Sequence, residues 1–266
     1  MIAEFDRAFA EFERDAYSLL HESHFDAGSN LASFKVQIQA QSLATDVGYL
    51  SMVMRDLHQA AITEVSDEMD RGNAEYQAYL EQRRKESGSN LVLDDKFFQG
   101  QPRREQRISI ALAKFGAAFK AFLFPVRGYQ DAIYKVGLCV VAQAIGGKSS
   151  MTGAVDVAKR SFVSANPIAK LLEATVPEYP EWFSSLRGYR DFIKYGAGIS
   201  YSSGKNFVTG ETTVAVNLHT SSENQPSMSL DDVSRALQMS KKATLAIINA
   251  GVANGTLNPR AQSAAT

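Results

Sequence analysis

The feature that most constrains this fold is an apolar rhythm of three and four residues that recurs along most of the chain. From Leu43 the series Val47, Leu50, Met54, Leu57, Ala61 and Val65 advances in such steps. At 3.6 residues per turn they form one seam along a helix, whose polar-rich continuation reaches about residue 85. Phe5, Phe9, Phe12, Ala16, Leu19 and Leu20 predict an amphipathic first helix ending near His24. Ile108, Leu112, Phe115, Phe119 and Phe122 predict a third, and Pro125 either kinks it or starts the next through Tyr129, Ile133, Val136 and Val140. Asn166 and Pro167 read as cap and first residue of a short helix over 168–173. Trp182, Leu186, Tyr189 and Ile193 place another over 181–195. Ser229 with Asp232 resembles a capping box and opens a last helix through Val233, Leu237 and Ile247.

Two segments depart from that rhythm. Phe34, Val36, Ile38 and Ala40 alternate with Lys35, Gln37 and Gln39, a period of two that predicts a strand. Ile199 and Tyr201, then Val214, Val216 and Leu218, predict a β-hairpin near 198–219. The expected fold is therefore mainly α, an antiparallel bundle of about five long helices with a small β-hairpin. It is expected as one domain over 1–253 with a loose tail at 254–266, its core closed by Phe115, Phe119 and Phe122.

Composition narrows the function. The 266 residues are 45% hydrophobic with a net charge of −1, so the chain has an ordinary globular make-up and no global field drawing it to nucleic acid or membrane. A single cysteine, Cys139, rules out an intrachain disulfide, and the first residues lack the layout of a signal peptide. The most apolar run, 136–145, falls short of the roughly 20 residues that span a bilayer, so a cytoplasmic protein without a membrane segment is expected. Local charge is another matter. Between Arg83 and Arg107 the apolar rhythm lapses, and seven basic residues stand against four acidic ones. Such a segment reads as a connector, either a solvated charge run or a local phosphate-binding patch.

Most chemical motifs are missing or incomplete. Residues 142–149 (AQAIGGKS) follow helical sequence rather than a buried strand, so Lys148 reads as solvated after a helix-ending Gly146-Gly147. His21 and His24 supply two metal ligands where zinc needs three or four, so no metal or other cofactor is expected. Cys139 sits on an apolar face as a small hydrophobe. Asp231 and Asp232 suit the positive end of the last helix. Neither a GxSxG elbow nor a complete GxGxxG occurs, since Gly196-Ala197-Gly198 lacks the third glycine.

What remains is a polar stripe. Arg187, Arg190, Asp191 and Lys194 are spaced by three and four, which puts them on one face of a helix whose Trp182, Leu186 and Ile193 look buried, with Tyr195 beside them. A structural reading pairs Arg190 with a carboxylate such as Glu173 or Asp131, pinning helices together. Over residues 180–200 the chain resembles the HEPN superfamily of nucleotide-binding helical domains, whose motif is Arg, a polar residue, about three more residues, then His. Arg190 and Asp191 match, and Tyr195 stands where that family places histidine.

The resemblance implies a homodimer binding RNA or a nucleotide at Arg190 and Asp191, and Arg187 and Lys194 on the same face, with Tyr195, are expected to assist. In active members the Arg and His resemble a metal-independent ribonuclease site, the Arg stabilising the phosphorane and a group titrating near neutrality moving the proton. A tyrosine, with a reference pKa of about 10, holds phosphate but is a poor base, so the implied function is binding without cleavage. Two alternatives stand beside it. One is a noncatalytic, dimerising interaction protein of a defence or toxin–antitoxin module with a protein partner. The other is an active endoribonuclease using His219 or another histidine as base.

Overall fold

The computed structural model describes residues 2–25, 31–87, 101–141, 149–194, 199–218 and 227–259. Helices dominate: α1 (Ile2–Phe12), a π-helical turn (Glu13–Tyr17), α2 (Ser18–Glu22), α3 (Leu31–Ser87), α4 (Gln101–Val140), α5 (Pro167–Thr175), α6 (Tyr179–Lys194) and α7 (Leu230–Ala253). The strands are short: β1 (Ser23–Phe25), β2 (Val155–Asp156), β3 (Ser161–Phe162), β4 (Ile199–Lys205), β5 (Thr212–Leu218), β6 (Ser227–Met228) and β7 (Leu257–Pro259). The fold is mainly α with a small β-hairpin, as the periodicity predicts. Two compact units divide it, one of residues 1–52, 120–197 and 230–266, the other of residues 53–119 and 198–229.

In the first unit α1 packs on α7, with Phe5, Phe12, Leu237 and Ile247 among the buried side chains. Lys241 ties the two together by pairing with Glu11 at 2.7 Å and Asp15 at 3.6 Å. The cap predicted at α5 forms, Asn166 Oδ1 accepting from the Ile168 and Ala169 amides at 2.9 and 3.1 Å. At the centre lies a buried polar relay. Gln130 of α4 accepts from the Tyr179 hydroxyl of α6 and donates at 2.8 Å to Ser240 Oγ of α7. One turn away, the Tyr129 and Thr244 hydroxyls bond at 2.6 Å. Arg127, also buried, pairs with Asp131 and lies 4.6 Å above the Phe183 ring.

The strand expected over 34–40 is instead part of α3. Its alternation misleads because Gln37, not its apolar neighbours, turns inward: the buried amide donates to the carbonyls of Leu20, at 3.1 Å, and Ser23. Those carbonyls sit at and just past the C-terminal end of α2, where helices leave acceptors unmet. With Gln37 inside, the buried series becomes Gln37, Ala40, Ala44 and Val47, a helical spacing, and Phe34 and Ile38 face outward. The tail is also more ordered than expected over its first part, since β7 pairs antiparallel with β1 and buries Leu257. Residues 260–266 lie outside the described residues.

The second unit is built on the paired halves of α3 and α4, which run antiparallel: His58 meets Phe115 edge-on at 5.2 Å, while Glu68 lies opposite Arg107. Met54, Ala61, Val65, Leu112, Phe115 and Phe119 form its seam. The predicted hairpin is present, β4 pairing with β5 from Ile199↔Leu218 to Lys205↔Thr212, and β6 adds a third strand. Lys205 fastens it to α3 through Ser66 Oγ at 2.9 Å and through Asp70. Tyr201 lies directly over Gly116, where the lack of a side chain lets the ring settle on α4.

Pro125 lies inside α4, which continues past it as one helix. Among the described residues α4 is the one helix long and apolar enough to cross a membrane, a length that the short run at 136–145 does not register. Phe115, Phe119, Phe122, Val126, Ile133 and Val136 along it are buried in protein.

Candidate functional site

The polar stripe falls at the C-terminal end of α6. Trp182, Phe183 and Leu186 bury one side of the helix, and Arg187, Arg190 and Asp191 lie half-buried on another. Arg190 bonds Asp191 Oδ1 through Nε at 2.9 Å and also through Nη2, while Arg187 Nε reaches Oδ2 at 3.4 Å. The expected cross-helix pairing of Arg190 with Glu173 or Asp131 does not occur. Asp131 is taken by Arg127 and by the Met151 amide at 2.8 Å, and Arg190 turns to its own neighbour.

Burial pushes the Asp191 carboxyl up, but the hydrogen bond and charge of Arg190, with those of Arg187, outweigh it and hold its pKa below the usual value. It is therefore ionised at neutral pH and braces both guanidinium groups. Two guanidinium groups thus share one carboxylate, and Lys194 lies exposed one turn on. Tyr195 and His219 lie outside the described residues, as do Lys148 and Gly196 to Gly198.

A second cluster assembles in the other unit, partly from residues that the charge count flagged. The seam of α3 continues past Val65 through Glu68, Gly72 and Glu75, so its apolar stripe becomes ionic. Opposite, α4 presents Arg103, Arg104 and Arg107, which the sequence places in a connector but the structure places in a helix. Glu68, 2% exposed, accepts at one oxygen from Arg71 at 2.7 Å and Arg107 at 2.8 Å. Arg104 passes over Gly72, its Nε 3.5 Å from where a Cβ would stand, to reach Glu75. These side chains and Arg103 line a cavity of about 170 Å³. Sequence reasoning flagged Arg103, Arg104 and Arg107 and missed Glu68, Arg71 and Glu75. The missed signal was the change of seam residues from Ala61 and Val65 to Glu68, Gly72 and Glu75.

Glu68 sets a pH dependence. Burial raises its pKa, yet the Arg107 hydrogen bond and the Arg71 charge bring it below the ordinary glutamate value. A depressed folded pKa contributes stability that is whole above the unfolded value of about 4.3 and is lost as pH falls through the folded one. Urea midpoints of the wild type and Glu68→Gln should accordingly differ most at neutral pH and converge below about pH 4.3. A gap unchanged down to pH 3 would contradict this.

No known protein family, curated protein or solved structure matches this chain.

Proposed function

We propose that this chain is a HEPN-like helical protein of the cytoplasm that binds RNA or a nucleotide through the exposed end of α6, without cleaving it. The observation that carries the reading is the bracing of Arg187 and Arg190 by a single ionised Asp191. That arrangement fixes two guanidinium groups and leaves the face with surplus positive charge, suited to phosphate oxygens. Lys194 extends the face, and Tyr195, in the family's histidine position, would add a hydrogen bond.

The test is end-labelled single-stranded RNA incubated with the protein in EDTA and scored for both retardation and cleavage. Retardation without cleavage is expected, weakening with salt in proportion to the phosphates contacted. Arg190→Ala should weaken it by about tenfold, the value of one charge-assisted contact. Cleavage by the wild type that Arg190→Ala abolishes would instead mark an active nuclease.

One observation favours the dimerising interaction protein as second reading. Phe34, Ile38, Tyr49 and Met52 are exposed and spaced so as to share one face of α3. A stable dimer in sedimentation, with no RNA retardation, would establish that reading over the first.

A further inference from the structure

We infer that the arginine cavity between α3 and α4 is a binding site for a phosphate monoester. The inference is independent of the RNA reading, which concerns the other unit. Four guanidinium groups, from Arg71, Arg103, Arg104 and Arg107, face two carboxylates, Glu68 and Glu75, around about 170 Å³ of space. The surplus of two positive charges equals the charge of a phosphate monoester dianion.

Simple helix-to-helix pairing accounts for only part of this arrangement. Glu68 spends one oxygen on both Arg71 and Arg107, and Arg103 makes no ion pair among the described residues. A seam built only to hold two helices together would match its charges, since unmatched guanidinium groups on facing helices repel one another. The carboxylates act here as braces: buried Glu68 aims two arginines, and Glu75 holds Arg104 across Gly72. The remaining N–H donors of those groups are oriented in advance for a ligand with several acceptor oxygens. Guanidinium groups match phosphate oxygens in pairs, and fixing them beforehand lowers the entropy lost on binding.

The neighbouring groove says what the phosphate is attached to. Along the same α3–α4 seam a second cavity of about 270 Å³, lined by Leu57, Ala61, Ile110 and Ala111, shares Arg107 with the first. Its walls are mainly aliphatic, with Glu64 and Lys114 also lining it, so it suits a mostly apolar organic group. A ligand lying across Arg107 would place its phosphate among the arginines and its apolar part in this groove.

Phenyl phosphate and inorganic phosphate are the probes, titrated calorimetrically into the full chain at constant ionic strength. Both should bind saturably at one site, phenyl phosphate about tenfold more tightly because it also fills the groove. Arg103→Gln, at an exposed position that carries no ion pair, should weaken both by about tenfold. Gly72→Leu, which displaces Arg104, should do the same, while Lys159→Gln, at an exposed lysine of the other unit, should leave both affinities unchanged. Absence of saturable binding, or binding indifferent to both Arg103→Gln and Gly72→Leu, would overturn the site. Equal affinity for the two probes would overturn the monoester assignment.

Discussion

Gln130→Ala is expected to cost about 3–5 kcal/mol of stability. Gln130 is fully buried where α4, α6 and α7 meet, and it serves two hydroxyls at once, accepting from Tyr179 and donating to Ser240. Truncation opens a cavity and leaves the Tyr179 hydroxyl with no acceptor in a dry interior. Burial raises the Tyr179 pKa well above its usual value, so the hydroxyl keeps its proton and its need for an acceptor throughout the ordinary pH range. Tyr179→Phe removes the donor instead and should cost less, about 1–3 kcal/mol, because the ring still fills its place between Trp182 and Phe183. Urea unfolding of both single variants and the double variant measures the coupling. Additive costs, or a Gln130→Ala penalty under about 1 kcal/mol, would mean that the relay is not a unit.

Gly116→Ala is expected to destabilise as well, against its helix propensity. Alanine is the better helix former by about 1 kcal/mol, so on propensity alone the change would stabilise α4. Sterics decide the other way. A Cβ at that position would stand 2.9 Å from Tyr201 Cζ and Oη and closer still to Cε1. An aromatic ring anchored in a paired strand has little room to yield, so the substitution should push Tyr201 off the helix, with a net loss of about 1–3 kcal/mol. The decisive comparison is Gly116→Ala in a Tyr201→Ser background. There the clash is gone, propensity is all that remains, and alanine should become neutral or stabilising. A penalty that persists in that background would place its origin elsewhere.

Helices and hairpin were legible in the sequence because each left a local signature. The Leu43 to Val65 series marks α3, Asn166-Pro167 marks the start of α5, and the apolar alternation of residues 214 to 218 marks β5. Failures came where a polar side chain was required by something distant. Gln37 points inward to satisfy carbonyls 14 and 17 residues earlier in the chain, and no window around it discloses that need. Glu68 sits in a seam, but its role depends on Arg107 of another helix as well as on Arg71 of its own. At the α6 stripe the spacing located Arg187, Arg190 and Asp191 on one face, yet the partner of Arg190 was its immediate neighbour rather than another helix. Pro125 shows the complementary limit: tertiary packing carries α4 through a residue whose local chemistry argues for a break.

The pairing of α1 with α7, and of β1 with β7, sets an order of events during synthesis. Phe5 and Phe12 leave the ribosome well before the helix that covers them. At roughly 5–20 residues per second the wait is on the order of 10–50 s. Tyr129 can meet Phe12 within that time, but the side of the first helix that α7 covers stays bare, in reach of chaperones. By contrast, every residue of the unit holding the hairpin has been translated by Ser229, before α7 begins. That unit has the head start, and the unit to which the first helix belongs closes last.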